Sequence, residues 1–198
     1  MESRDIENRF SDCLVLIKDN HLRECLKLIL DEYLPNYWFH EGASSTGKYH
    51  PNYAAGDGGL MRHSKAAMFI GNEILSNPLF GDEFNSHQKD LLLMSLLIHD
   101  GLKYNFEKEK YTNFAHPILM SKFIMDNHEL WDLSLEDAEY MSHVIASHMG
   151  PWNKSQYDKT ILPIPETKEE VFVHLCDYLA SRKLINIHFD DNSMISNK

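Results

Sequence analysis

Cysteine is scarce in this 198-residue chain: Cys13, Cys25 and Cys176 are odd in number, lie far apart and form no CxxC pair. Neither a disulfide framework nor a zinc ribbon is indicated, and a reducing cytoplasm is the expected setting. Long apolar runs are missing too, since none approaches the ~18 residues that a membrane-spanning helix needs. The N-terminus, MESRDIENRF, is charged rather than apolar, so neither a secretory leader nor a membrane partner is expected. There is no cluster of basic residues: 19 Lys and Arg face 30 Asp and Glu, and the net charge of −11 is spread along the chain. A phosphate backbone would find no electrostatic track, which disfavours long duplex nucleic acid. A bound cation can still make one local patch attractive to a small anion.

Strand-type alternation is nearly absent, and no internal repeat stands out, so the fold is expected to be all-α. With 43% hydrophobic residues the chain suits one well-buried domain over residues 1–198. Helical spacing predicts N-terminal helices within 1–36, from Arg4 to Lys18 with Asn20 as the next cap, then from His21 to Leu34 where Pro35 stops the run. Residues 37–59 mix aromatics, small residues and glycines and read as a long loop. A core over 60–186 follows, with helices at Leu60–Leu75, Gln88–Asp100 behind a Ser86 cap, and His116–Asp126. Capping boxes at Ser134/Asp137 and Thr167/Glu170 open two more, the last running to about Ile185. Residues 187–198 form a tail.

Composition also holds 12 histidines. The stretch LLLMSLLIHDGLKYN, Leu91 to Asn105, is an apolar run that ends in His99, Asp100 and Lys103. A buried carboxylate needs a cation or several donors, and the adjacent histidine makes a cation the simpler partner. Imidazole with carboxylate suits Mn²⁺, Fe²⁺, Zn²⁺ or Ni²⁺, and a carboxylate can bridge two ions. The metal-type side chains at other helix positions are His63, His116, His143, His148 and Asp177. His143 and His148 point about 140° apart on an ideal helix, so both reach one site only where the helix ends, as Gly150-Pro151 implies. His174 shares a helix face with Asp177 and is expected to support a ligand rather than bind the ion.

The order His63, His99-Asp100, Asp177 resembles the HD-domain metal-dependent phosphohydrolases, a helical-bundle family with H…HD…D ligands. His116, His143 and His148 resemble the additional ligands of its two-metal members. GGLMRHS, LLIHDGLK, AHPILMS, HVIASHMG and VHLCDYLAS together are most similar to the HD domain of bacterial OB-fold/HD 3′-to-5′ exoribonucleases. The likeness covers roughly Lys48 to Lys183. It departs where the region before the loop is too short for an OB-fold, and where Gly101-Leu102 replaces the commoner Leu-Gly order after HD.

The resemblance implies an all-α HD-domain bundle with a long loop before the first metal histidine, and two divalent ions (Mn, Fe, Ni or Mg). One ion would take His63, His99, Asp100 and Asp177, the other Asp100, His116, His143 and His148. Water activated there would cleave a phosphoester, with Asp100 and Lys103 as the catalytic residues. The expected substrate is a small phosphorylated molecule, a nucleotide or short oligonucleotide, and an oligomer is compatible with the sequence. A di-iron oxygenase and a non-catalytic nucleotide-sensing module are the alternatives.

The loop contains GASSTGKY, Gly42 to Tyr49, which matches G-x-x-x-x-G-K. The P-loop reading fails, because Tyr49 stands where Ser or Thr must hold Mg²⁺ and His50-Pro51 cannot open the helix. In the resembled enzymes a K-x-H stretch often precedes the first metal histidine, as Lys48-Tyr49-His50 does. Thr46, Lys48, His50 and Arg62 are therefore expected to contact substrate. Tyr37, Trp38, Phe39, Tyr49, Tyr53 and Trp152 offer surfaces on which a base can stack.

Overall fold

The computed structural model describes residues 4–44 and 50–196. Among the described residues eight α-helices follow one another: α1 (Ile6–Leu14), α2 (Asn20–Leu28), α3 (Gly59–Ser76), the single turn α4 (Pro78–Gly81), α5 (Ser86–Ile98), α6 (His116–Asn127), α7 (Leu135–Ala146) and α8 (Lys168–Ala180). Among the described residues there is no strand, only isolated bridges such as Lys154 with Ile161. The fold is an all-α bundle. None of its described helices is long and apolar enough to cross a membrane.

Helix α5 runs through the middle, packed against α3, α7 and α8, with α2 at its N-terminal side. Every residue from Asp90 to Ile98 is buried. A helix covered all round needs apolar side chains all round, which is why this segment reads as a solid apolar run rather than a stripe. The exception is Asp90, whose carboxylate accepts the backbone N–H groups of Lys18 (3.0 Å) and Asp19 (2.8 Å) and so closes the α1–α2 turn. One hydrophobic cluster extends from Ile6 on α1 to Ala180 at the end of α8. All three cysteines lie in it, free and buried.

Two caps differ from expectation by one residue. Asp19, not Asn20, accepts from the N–H groups of His21 and Leu22, and Asn85, not Ser86, forms the reciprocal box with Gln88. Adjacent residues with equally good capping oxygens leave the choice to backbone torsions. Thr167 and Glu170 form the expected reciprocal box, whereas Ser134 accepts from the Asp137 N–H without the return bond. α1 is shorter than predicted, ending at Leu14, and α8 stops at Ala180. α2 runs on through a π-helical turn, Ile29–Tyr33, until Leu34 becomes extended (ψ 141°) ahead of Pro35. In the long loop, 3₁₀ turns at Asn36–Phe39 and Asn52–Ala54 bury Tyr37, Trp38, Phe39 and Tyr53 beneath the start of α3.

Candidate metal centre

Helix α5 ends in the middle of the bundle. Such an end carries partial negative charge and favours a cation. His99 is the C-cap and Asp100 the next residue, and both are buried. Around them α3 supplies His63, the start of α6 supplies His116, the segment just past α7 supplies His148, and α8 supplies Asp177. All of these but His99, which lies beneath them, form the floor of a cavity of about 570 Å³ that is also lined by His50, Lys103, Trp152, His174, Tyr178 and Arg182.

The two oxygens of Asp100 face different neighbours. Oδ2 lies 3.6 Å from His99 Nε2 and 3.9 Å from His63 Nε2, and Asp177 Oδ1 completes that side at 2.9 Å from His63 and 3.4 Å from His99. Oδ1 lies 3.1 Å from His116 Nε2 and 3.8 Å from His148 Nε2, which are themselves 3.2 Å apart. The Lys103 ammonium contacts Oδ2 directly.

Proton placement decides what these contacts mean. The Nδ1 of His99 faces the Leu96 carbonyl at 2.7 Å, that of His116 the Asn113 carbonyl at 2.8 Å, and that of His148 the Ile145 carbonyl at 2.8 Å. A carbonyl only accepts, so each Nδ1 donates and each neutral ring presents a bare Nε2 lone pair to the centre. Two bare lone pairs at 3.2 Å repel unless a cation or a proton lies between them. His99 Nε2 and Asp100 Oδ1 are, correspondingly, buried atoms with no hydrogen-bond partner among the described residues. The residues present fit a metal ion: His63, His99 and Asp177 form one group whose ligand atoms lie within 4.8 Å of one another, and His99, Asp100 and His148 form a second.

Burial and neighbouring charges keep both carboxylates ionised and the His148 ring neutral. Burial pushes the Asp100 carboxyl up, but Lys103, His99 and His116 outweigh it and hold the group well below the usual carboxylate range. Asp177 is treated alike by burial and by His63 and His99, and also stays ionised. Burial, reinforced by His99 and His116, takes His148 down to about 3, so its ring is neutral at physiological pH. His99 goes the other way: burial lowers it, yet Asp100 and Asp177 raise it overall.

Not every expected residue arrives. His143 lies on the exposed face of α7 and does not line the cavity. The helix continues to Ala146, so the 140° divergence is real, and only His148, beyond the helix end, turns inward. The structure therefore removes His143 from the expected ligand set. Replacing His143 by alanine should leave the bound-metal stoichiometry unchanged by elemental analysis, whereas the His148 replacement should lower it.

Arg62 is likewise drawn away: its guanidinium donates to Tyr53 O (2.6 Å), Ala55 O (3.0 Å) and Ser193 Oγ (3.3 Å), and it does not line the cavity. Neighbours on a helix diverge by ~100°, so the residue before an inward histidine faces elsewhere. Thr46 and Lys48 lie outside the described residues. His50 does line the cavity, its ring 5.1 Å from that of His63, and burial together with His63 and Lys103 lowers it to about 3.

His174 Nδ1 donates to the carbonyl of His148 at 2.7 Å and fixes that ligand's backbone. Gly150 makes this approach possible. It adopts φ 59°, and a Cβ there would meet the His174 ring at 2.2 Å. Sequence reasoning passed over Tyr178, Ser181 and Arg182. The available signal was their place on the last turn of α8 and just past it, one to five residues beyond Asp177.

The HD domain family model matches residues 60–182, which include all the residues of the cluster. No curated protein and no solved structure matches the chain.

Proposed function

The chain belongs to the HD domain family, whose members are generally metal-dependent hydrolases, and from that premise we propose that it hydrolyses a phosphoester of a nucleotide or short oligonucleotide. The observation that carries the reading is Asp100, ionised though buried, with one oxygen toward His63, His99 and Asp177 and the other toward His116 and His148.

In this reading His63, His99, Asp100 and Asp177 hold one divalent ion, and Asp100, His116 and His148 hold a second. Mn²⁺, Fe²⁺ or Ni²⁺ suits these imidazole and carboxylate donors. When bound, such ions would lower the pKa of a water and polarise the phosphoryl group. The chain's own residues do the rest. Lys103, buried beside Asp100, directs an ammonium at the same cavity and can meet the negative charge that grows on the phosphoryl oxygens. His50 is neutral and adds no positive charge at neutral pH. The lysine favours hydrolysis over oxygen chemistry.

The scale of the substrate follows from the cavity and the charge. About 570 Å³ accommodates a mononucleotide-sized ligand. A net charge of −11 disfavours a long polyanion, whereas bound cations would draw a small anion into the cavity. The motif likeness to OB-fold/HD exoribonucleases supports a nucleotide phosphoester in particular.

The test is elemental analysis of the purified protein together with Mn²⁺-supported assays on nucleoside monophosphates, cyclic dinucleotides and short RNAs. Bound metal and chelator-sensitive hydrolysis of at least one substrate are expected. Protein that holds no divalent metal and turns over none of them would overturn the reading.

A further inference from the structure

Of the six aromatic residues considered for base stacking, Tyr37, Trp38, Phe39 and Tyr53 are buried and Tyr49 lies outside the described residues. Trp152 alone combines exposure, 52%, with a place on the cavity wall. Its ring is pinned from behind. It stacks on Tyr178 with centroids 5.5 Å apart and planes 10° from parallel, and His174 lies 6.0 Å away. The chain reaches this position through the left-handed turn at Gly150, so Trp152 and the ligand His148 are placed by the same turn.

Tyr178 is held in turn by Arg182, whose guanidinium lies 4.3 Å from the ring centroid. Arg182 donates to Ser181 Oγ (2.7 Å) and to the Tyr178 carbonyl (3.2 Å), both neutral, and no carboxylate among the described residues pairs with it. A flat, pre-ordered π surface backed by a cation without a counter-charge thus stands on the wall of the cavity whose floor carries the metal-type cluster. An alkyl chain gains only dispersion there and a sugar only the packing of its C–H face, whereas a flat base stacks over the whole ring. A flat heteroaromatic ring stacks over the Trp152 face, and the cations that line the same cavity, Lys103 and Arg182, favour an anionic group attached to it.

Resting on the phosphohydrolase reading, the geometry points to Trp152, supported by Tyr178 and Arg182, as the platform for the nucleobase of the substrate, which makes the substrate class a nucleotide rather than a sugar phosphate or other base-free phosphoester.

The two remaining tryptophans, Trp38 and Trp131, are fully buried, so quenching by an added base reports on Trp152. Intrinsic fluorescence should fall on addition of adenosine or AMP and stay level with ribose 5-phosphate. Calorimetry with AMP should show affinity reduced roughly five- to hundredfold by Trp152→Ala, with most of it restored in Trp152→Phe. The ratio of kcat/KM for AMP to that for ribose 5-phosphate should drop by a similar factor in the alanine variant. AMP binding that is unchanged in Trp152→Ala, or ribose 5-phosphate binding as tightly as AMP to the unaltered protein, would overturn the platform. Base-dependent quenching without hydrolysis under any metal would leave the platform standing and remove the phosphohydrolase reading, and hydrolysis indifferent to a base would do the reverse.

Discussion

Asp100→Ala is expected to lower metal-supported turnover by about three orders of magnitude or more while leaving helical content in place. Asp100 is the one residue that faces both groups of imidazoles, through different oxygens. In the proposed assignment its removal takes a ligand from each ion. Metal ions contribute several kcal/mol of charge stabilisation at a phosphoryl centre. About 4 kcal/mol corresponds to a thousandfold in rate. The side chain bonds to the Lys103 ammonium and not to the backbone of any helix, so helical content survives its loss while the unpaired Lys103 lowers stability. Asp100→Asn is the sharper control. It keeps the volume but removes the charge, leaving the buried Lys103 ammonium without its partner. Both variants should show reduced metal content by elemental analysis and an unchanged far-ultraviolet dichroism spectrum. Full turnover in either one would sink the metal mechanism.

How much of this was legible beforehand depended on whether the decisive information was local. The ending of Leu91–Ile98 in His99-Asp100 was readable, because an apolar run on every face of a helix marks a centre and a carboxylate at its end demands a cation. His63, His116, His148 and Asp177 were readable as residue types on helices. Their convergence was a matter of chain packing and came only through the family likeness. His143 was misplaced because spacing along a helix does not say where the helix stops: α7 continued three residues past it. Arg62 failed for a related reason, since adjacency in sequence to His63 means divergence on a helix. Trp152 needed a tertiary fact, the Gly150 turn that closes onto His174 of α8. The caps at Asp19 and Asn85 turned on single torsions that no composition argument reaches.

Lys65 was silent in the sequence, an ordinary lysine two residues after His63, and it carries the second large expectation. It is fully buried. Its ammonium donates to the Arg9 carbonyl (2.8 Å) and the Ser193 carbonyl (2.6 Å), pairs with Asp12 Oδ1 (2.9 Å) and lies 5.3 Å from the Phe10 ring centroid. Asp12 Oδ2 accepts the Ile195 N–H at 2.9 Å. One buried charge therefore fastens the returning C-terminal segment to α1 and α3. Lys65→Met keeps the packing of the stem and deletes the ammonium, which leaves a carboxylate and two carbonyls short of a donor. Breaking a buried pair from one side costs about 3–5 kcal/mol. At about 2–4 °C per kcal/mol for a chain of this size, Tm should fall by roughly 6–20 °C. Urea unfolding of Lys65→Met, Asp12→Asn and the double variant should give a double loss smaller than the sum of the singles, because both residues belong to one network. A loss below about 1 kcal/mol in Lys65→Met would show that the tail is held by its apolar contacts instead. Residues two apart on a helix point about 200° apart, so Lys65 and His63 serve opposite sides of α3. Metal affinity measured below the lowered Tm should accordingly be unaltered, which separates the stability of the bundle from the chemistry at its centre.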